Sequence, residues 1–340
     1  RRHGAQAEPE GSVSFIRRGL LSGKDRRPEM AIVNSDFLAG VRTGFRSLFQ
    51  SAFEAASLQA PWRELALPVT STGQIESYDW LGTVPVMVDV TNGDIQVEGL
   101  GNYSQSITNL TYKAAIEVAR AAFEDDKLNL ISPRVQQLGE EAGRHPGQLI
   151  FALFESGGLA FDATAFFADT RVIGRSANVD NIVSGAYGAG TVAEFQAGIA
   201  AGRAQMRLFQ DDQGRPMNVS PNVIVVPPAL EQACFQALTD AGRAVNAPAV
   251  PATADGAFRL AGYTVLVNPY LTTTDDWYMF YTSGATRPFI YQERVAPALE
   301  GLTTPETESG IVRDRFLYSV RARYAVGYGD PRYAVKLLDA

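Results

Sequence analysis

Near the end of the chain, Phe316, Tyr318, Val320, Ala322, Tyr324 and Val326 fall on one face of an extended segment, and Arg321 and Arg323 fall on the other. Alternation of this length is the period of a long strand with one buried face, because successive side chains leave a strand on opposite sides. The strand runs into Gly327-Tyr-Gly-Asp-Pro-Arg-Tyr-Ala-Val335. Upstream, Trp277 to Arg294 reads as a strand, a turn and a second strand ending in polar residues.

With 340 residues, 46% hydrophobic and 20% charged, the chain can bury a sizeable core as one large or two to three smaller domains. No run approaches the ~18 apolar residues of a membrane span; the best candidate, Val223-Ile-Val-Val226, stops at Pro227-Pro228. The single cysteine, Cys234, excludes an intrachain disulfide framework and reads as the buried face of a helix, which fits an intracellular folding compartment.

Residues 1–30 carry Arg1, Arg2, Arg17, Arg18, Lys24, Arg26 and Arg27 against Glu8, Glu10, Asp25 and Glu29. That balance of +3, in a chain of net charge -7, leaves -10 for the remainder. A body so acidic is not a dedicated nucleic-acid reader, and any contact of the basic arm with nucleic acid is local and unspecific. Few large apolar groups occur in the arm, so it is expected to be extended. It lacks the apolar core of a signal peptide, which disfavours secretion. The expected origin of the Arg1 terminus is cleavage of a precursor, with Met30 as an alternative internal start.

From Ser35 the period becomes helical, with Phe37, Leu38, Val41, Phe45, Leu48, Phe49, Ala52 and Phe53 on one face as far as about Ser57. Residues 70–120 hold β-type pieces at 74–80, 84–88 and 112–118, and Asn92-Gly93 is a hairpin signal. A two-stranded ribbon of this size is marginal alone and has to borrow a neighbour's surface or form its own domain. Ser132-Pro133 opens a long helix that Pro146 should kink or divide and Gly157-Gly158 close. Residues 160–190 read as irregular. Thr191-Val-Ala-Glu194 is a capping box for a helix to Asp211. A turn at 212–216, a buried strand at 222–226, a helix at 229–238 and a strand at 264–267 then alternate as in a mixed α/β layer.

Catalytic chemistry has little to work with. Gly185-Ala-Tyr-Gly-Ala-Gly-Thr191 has neither the lysine of a phosphate loop nor dinucleotide spacing. His3 and His145 are the only histidines, too few for a histidine-based zinc site or triad in the folded body. Glu124-Asp125-Asp126 lacks the spacing of a calcium loop and reads as a solvated turn. No catalytic, cofactor or metal site is expected.

The order of elements resembles the Hong Kong 97-type capsid fold of tailed phages. Tyr78-Asp-Trp80-Leu81-Gly82-Thr-Val-Pro85, Ala122-Phe-Glu-Asp-Asp-Lys-Leu128, Gln136 to Ala142, His145 to Phe151, Met206 to Phe209, Gly214 to Pro216, Pro221 to Pro227 and Trp277 to Arg294 are similar to the major head subunits of Mu-like phages, over roughly residues 35–338. One departure is Leu159 to Phe167, where that branch often carries a Cys-Tyr-Asp-Gly-like segment.

The resemblance implies an α+β fold in four parts: an N-terminal arm and amphipathic helix (1–60), an E-loop (70–120), a P-domain with a long spine helix (121–165 and 285–340) and an A-domain (166–284). It implies a structural, non-enzymatic major capsid protein, assembled in the host cytoplasm, that forms hexamers and pentamers of an icosahedral virion shell around double-stranded DNA. Implied partners are a portal, a scaffold or protease, a decoration protein and packaged DNA, with no membrane. Tyr78, Trp80, Leu81 and Tyr103 are the expected intersubunit contacts, and the seven arm cations named above the expected DNA-facing group. The alternatives are an encapsulin-like compartment, and a soluble hydrolase with its site in the loop at 157–190.

Overall fold

A computed structural model describes residues 35–81, 102–125, 128–176, 179–188, 190–245, 257–260, 262–302 and 314–339. The basic arm, the Asn92-Gly93 signal and the strand expected at 84–88 lie outside them.

Helix α1 (Ser35–Leu58) forms where the apolar stripe requires it and buries Phe45 and Phe49. A short α2 (Trp62–Leu65) leads into β1 (Ala66–Thr70), and β2 (Ile75–Leu81) pairs with β3 (Asn102–Thr108) as a two-stranded ribbon. Next come β4 (Leu110–Ala119), a one-turn α3 (Arg120–Glu124) and the long α4 (Leu128–Ala152).

Helix α4 starts before Ser132-Pro133, which lie inside it, and continues unbroken through Pro146. Each proline forfeits one backbone bond. The loss is offset by packing, since Val135 and Ile150 are fully buried and α1 lies along the helix. The helix ends at Ala152, ahead of Gly157, which adopts φ 64°.

The second half holds β5 (Ile182–Gly185), α5 (Val192–Leu208), β6 (Val223–Val226), α6 (Glu231–Val245), β7 (Ala257–Leu260), β8 (Tyr263–Val267), β9 (Trp277–Phe280), β10 (Phe289–Leu302), β11 (Arg315–Tyr328) and β12 (Ala334–Asp339). Strand β5 corrects the expectation that 160–190 is wholly irregular: its parallel pairing with β12 supplies order that its own sequence does not signal. The capping box is real on one side, with Thr191 Oγ1 accepting from the Glu194 amide at 3.3 Å. Helix α5 stops at Leu208, short of Asp211, because Asp211 is committed to the following turn: its carboxylate accepts from the Gln213 and Arg215 amides.

Two sheets organise the molecule. One has the order β1-β10-β11-β4, the other β5-β12-β9-β6-β8-β7. Strand β10 does not end at the polar Gln292 to Arg294 but runs to Leu302, because register shifts at Glu293/Val295 and Val295/Ala298 absorb Pro297. Strands β9 and β10, adjacent in sequence, therefore belong to different sheets.

Three cores follow from this layering. Phe45, Phe49, Val135, Leu138, Phe316, Tyr318 and Val320 join α1 and α4 to one face of the four-stranded sheet. Ile224, Val226, Trp277, Met279, Val335 and Leu337 face α5 and α6, while Val223, Val225, Tyr278 and Phe280 point the opposite way into the junction between the sheets. Burial on both faces explains why β6 and β9 read as unbroken apolar runs. At the junction Phe154 stacks on Phe289 at 5.0 Å and meets Tyr278 edge-on at 4.9 Å. The alternation of β11 holds to Tyr324; beyond it Ala325 on the second face is buried too, and Val326 is only half-buried.

Candidate assembly interface

The ribbon of β2 and β3 leaves the body on a braced root. Glu76 Oε1 accepts from Ser71 Oγ at 2.9 Å, the Thr72 amide at 2.8 Å and the Gly73 amide at 2.6 Å. These bonds, the Gly73 amide foremost, hold the Glu76 carboxyl below its ordinary value. Buried Asn109 closes the other side, donating to Ser71 Oγ at 2.7 Å and to the Gly73 carbonyl at 2.9 Å.

The root is seated on the four-stranded sheet. Ile107 packs with Ile290 and Ala325, with Val69 and Tyr78 at the edge of the cluster. Tyr78 Oη donates to Oε1 of fully buried Gln292 at 2.8 Å, and burial pushes the phenol up to about 12. Farther out, Gln105 Nε2 donates to the Leu159 carbonyl at 3.3 Å and Tyr103 lies 5.4 Å from the Phe161 ring. Of the expected contact residues, Tyr78 and Tyr103 are thus half-buried against their own subunit. Backbone pairing sets Trp80 opposite Tyr103 and Leu81 opposite Asn102, but the side chains of Trp80 and Leu81 lie outside the described residues, as do the seven arm cations.

The body behind the ribbon is stiffened in two places. Along α4, Gly139, Gly143 and Gly147 recur every fourth residue and let α1 and α2 approach closely: a Cβ at Gly139 would stand 2.6 Å from the Phe49 carbonyl oxygen, and one at Gly143 2.8 Å from Ala56 Cβ. This four-residue spacing was a legible signal of a close helix contact that the reading of α4 by its apolar stripe passed over. Between Gly143 and Gly147, His145 Nδ1 lies 2.5 Å from Tyr324 Oη, and its ring packs edge-on to Tyr112.

The second stiff region joins the sheets. Glu155, just past α4, accepts from the amides and hydroxyls of both Thr272 and Thr273, the shortest bond being 2.6 Å to Thr272 Oγ1. Burial pushes its carboxyl up, yet these bonds outweigh that and leave it lowered. Fully buried Arg171 pairs with Asp162 at 2.9 Å and donates to the Ala165 and Phe166 carbonyls. Asn181 ties the Phe166 carbonyl to that of Pro331, and Arg332 grips Asp330 at 2.6 Å. Asp330 to Arg332 lie between β11 of one sheet and β12 of the other, so these bonds pin the chain where it crosses between the sheets.

The remaining motifs are occupied structurally. In the glycine-rich stretch the amides of Tyr187 and Gly188 donate to Asp339 Oδ1 at 3.0 and 3.1 Å, so they are not free to cradle a phosphate. Cys234 is buried in α6, and burial pushes its thiol far up, away from the thiolate a nucleophile needs. Among the described residues no group of three or more His, Cys, Asp or Glu could hold a metal ion, and no helix is long and apolar enough to cross a membrane.

Comparison with known proteins agrees with this architecture. The profile of the family described as Mu-like prophage major head subunit gpT matches residues 38–196, 191–247 and 260–338. The Mu-like prophage FluMu major head subunit of Haemophilus influenzae is 25% identical over 302 residues, 88% of this chain and 72% of the relative. The major capsid protein of Escherichia phage Mu is 29% identical over 161 residues, 45% of this chain and 52% of that protein. Among solved structures, the procapsid of bacteriophage JBD30 superposes with a TM-score of 0.51 at 23% identity, covering 89% of this chain and 75% of the other.

Proposed function

The chain belongs to the Mu-like prophage major head subunit gpT family, which is structural and not enzymatic, and from that premise we propose how this subunit builds a phage head. It is a major capsid protein that self-associates, through hexamers and pentamers, into an icosahedral shell around double-stranded DNA. The observation that carries this reading is the ribbon: its root is braced by Glu76 and Asn109 and seated by Ile107 and Tyr78, whereas two strands of this kind gain little stability alone. A braced projection of this sort is suited to lie over a neighbouring copy.

In this reading residues 1–60 are the arm and its helix, 70–120 the E-loop, and 121–165 with 285–340 the P-domain, whose spine is α4. Residues 166–284 are the A-domain, with β12 returning to pair beside β9. Trp80 and Leu81, at the outer end of the described ribbon, make intersubunit contacts, joined by the open sides of Tyr78 and Tyr103. The cationic arm faces packaged DNA, a favourable but unspecific and salt-sensitive contact. A portal, a scaffold or protease, and a decoration protein complete the assembly.

Electron microscopy and sedimentation of the purified chain test the reading. Closed shells with hexameric and pentameric capsomers are expected. Monomer alone, at every concentration in near-physiological salt, refutes it.

A further inference from the structure

Strand β4 is the outer edge of the four-stranded sheet, bonded to β11 on one side and, among the described residues, to no strand on the other. A long open edge presents a row of unpaired amides and carbonyls, which soluble proteins blunt with a proline, a bulge or a cover. The ten residues of β4 hold no proline, and their register with β11 is unbroken from Leu110 to Ala119. The two faces of the strand differ. Tyr112, Ala114, Ile116 and Val118 point toward α4, where Tyr112 packs on His145 and Val118 joins the core. Lys113, Ala115 and Glu117 therefore point the other way, and all three are exposed. Within the subunit Lys113 stands opposite Arg321, a like-charge pair that is unfavourable alone.

We infer that the open edge of β4 takes β4 of a second copy, added antiparallel about a twofold axis through Ala115, so that two four-stranded sheets become one of eight. The inference rests on the head-building function above, which supplies the neighbouring copies. The strand is complementary to itself in this register. Lys113 faces Glu117 of the partner subunit, and the twofold axis repeats the pair, so each contact holds two opposite-charge pairs. The new partner also offsets the repulsion between Lys113 and Arg321. On the α4 side Tyr112 faces Val118 of the partner subunit, and small Ala114 leaves room for Ile116 of the partner subunit. A shift of register by two residues loses both charge pairs. Apolar surface waits beside the edge: a groove of about 430 Å³ between β4 and the start of α4 is lined by Ile116, Val118, Leu130 and Ile131, and Leu130 is 71% exposed.

The test is disulfide trapping in the full chain. Oxidised Ala115→Cys should run mostly as a dimer on a non-reducing gel, because opposed Cα atoms stand about 4.5–5.5 Å apart, a span that a disulfide bridges. Lys113→Cys should stay monomeric, since the two copies of position 113 lie four residues apart along the strands, about 13 Å. Cys234 is buried and stays out of the reaction. Lys113→Glu should raise the concentration for half-association about tenfold, equivalent to ~1.4 kcal/mol, without lowering the melting temperature of the dissociated subunit. Lys113→Glu with Glu117→Lys and Arg315→Glu, which keeps position 117 paired within the subunit, should restore association. Absence of the Ala115→Cys dimer overturns the inference, as does equal cross-linking of Lys113→Cys or failure of the triple swap to rescue. Protection of the β4 amides from hydrogen exchange in shells, with no cross-link, overturns it too and gives the edge to a different segment. A wild type that forms no shells counts against the head-building function, whereas the cross-link, read on the chain in any state of association, bears on β4 alone.

Discussion

Ile107 fills the space that a side chain at position 327 would need: a Cβ on Gly327 would stand 2.4 Å from Ile107 Cδ1. The glycine in β11 is thus the socket of the ribbon. Gly327→Val should push Ile107 out of its cluster with Ile290 and Ala325, at the ~1–3 kcal/mol typical of overpacking. Because the main cores do not include this contact, the subunit should still fold. Thermal melting is expected to show a modest loss and shell yield a large one; equal losses in both would make the seat a core element of the subunit.

The glycines of the helices predict opposite signs. Ala replaces Gly favourably in an exposed helix by about 1 kcal/mol, so Gly40→Ala and Gly44→Ala on α1, with nothing within 4 Å of the added Cβ, should stabilise. Gly139→Ala meets the Phe49 carbonyl oxygen at 2.6 Å and should destabilise despite the same gain in propensity. Chemical denaturation of the three single variants decides this, and a stabilising Gly139→Ala would show that the α1–α4 contact can open at little cost.

Acid sensitivity should have a component from His145. Burial lowers its pKa below the ordinary 6.5, and Glu141 opposes the shift without reversing it. The unfolded chain then binds the proton more readily, so this contribution is intact above 6.5 and is lost as pH falls from there through the lower folded value. Glu76 and Glu155, lowered from 4.5, add their losses only in more acid solution. Urea midpoints measured from about pH 7 to pH 5 should fall for the wild type and fall less for His145→Gln. Identical slopes would remove His145 from the account.

Particles should carry no lysine–asparagine cross-links. Outside the arm the chain has only Lys113, Lys127 and Lys336, and Lys336 is held by Asp276 at 2.7 Å over the Tyr278 ring. The segment at 82–101 contains no lysine. Boiled, reduced particles are expected to run as one band of monomer size on a denaturing gel; a ladder of multimers would contradict this.

What the sequence determined by itself is what local periodicity and caps encode. The apolar stripe of α1, the alternation of β11 as far as Tyr324, the Thr191 cap and the unbroken apolar runs of β6 and β9 are each readable within one segment, and their order was enough to resemble a capsid fold. Other features depend on partners far along the chain. Strand β3, Asn102-Tyr-Ser-Gln-Ser-Ile-Thr108, is too polar to announce itself and exists because β2 pairs with it and Ile107 finds Gly327. Strand β10 outlasts Pro297 because β11 tolerates its register shifts, and α4 survives two prolines because α1 and the sheet hold it. The meeting of Lys113 with Arg321 is of the same kind. A one-residue change of register would send either side chain to the opposite face, so the tertiary pairing of β4 with β11, and not the pattern within either strand, decides that two cations stand together.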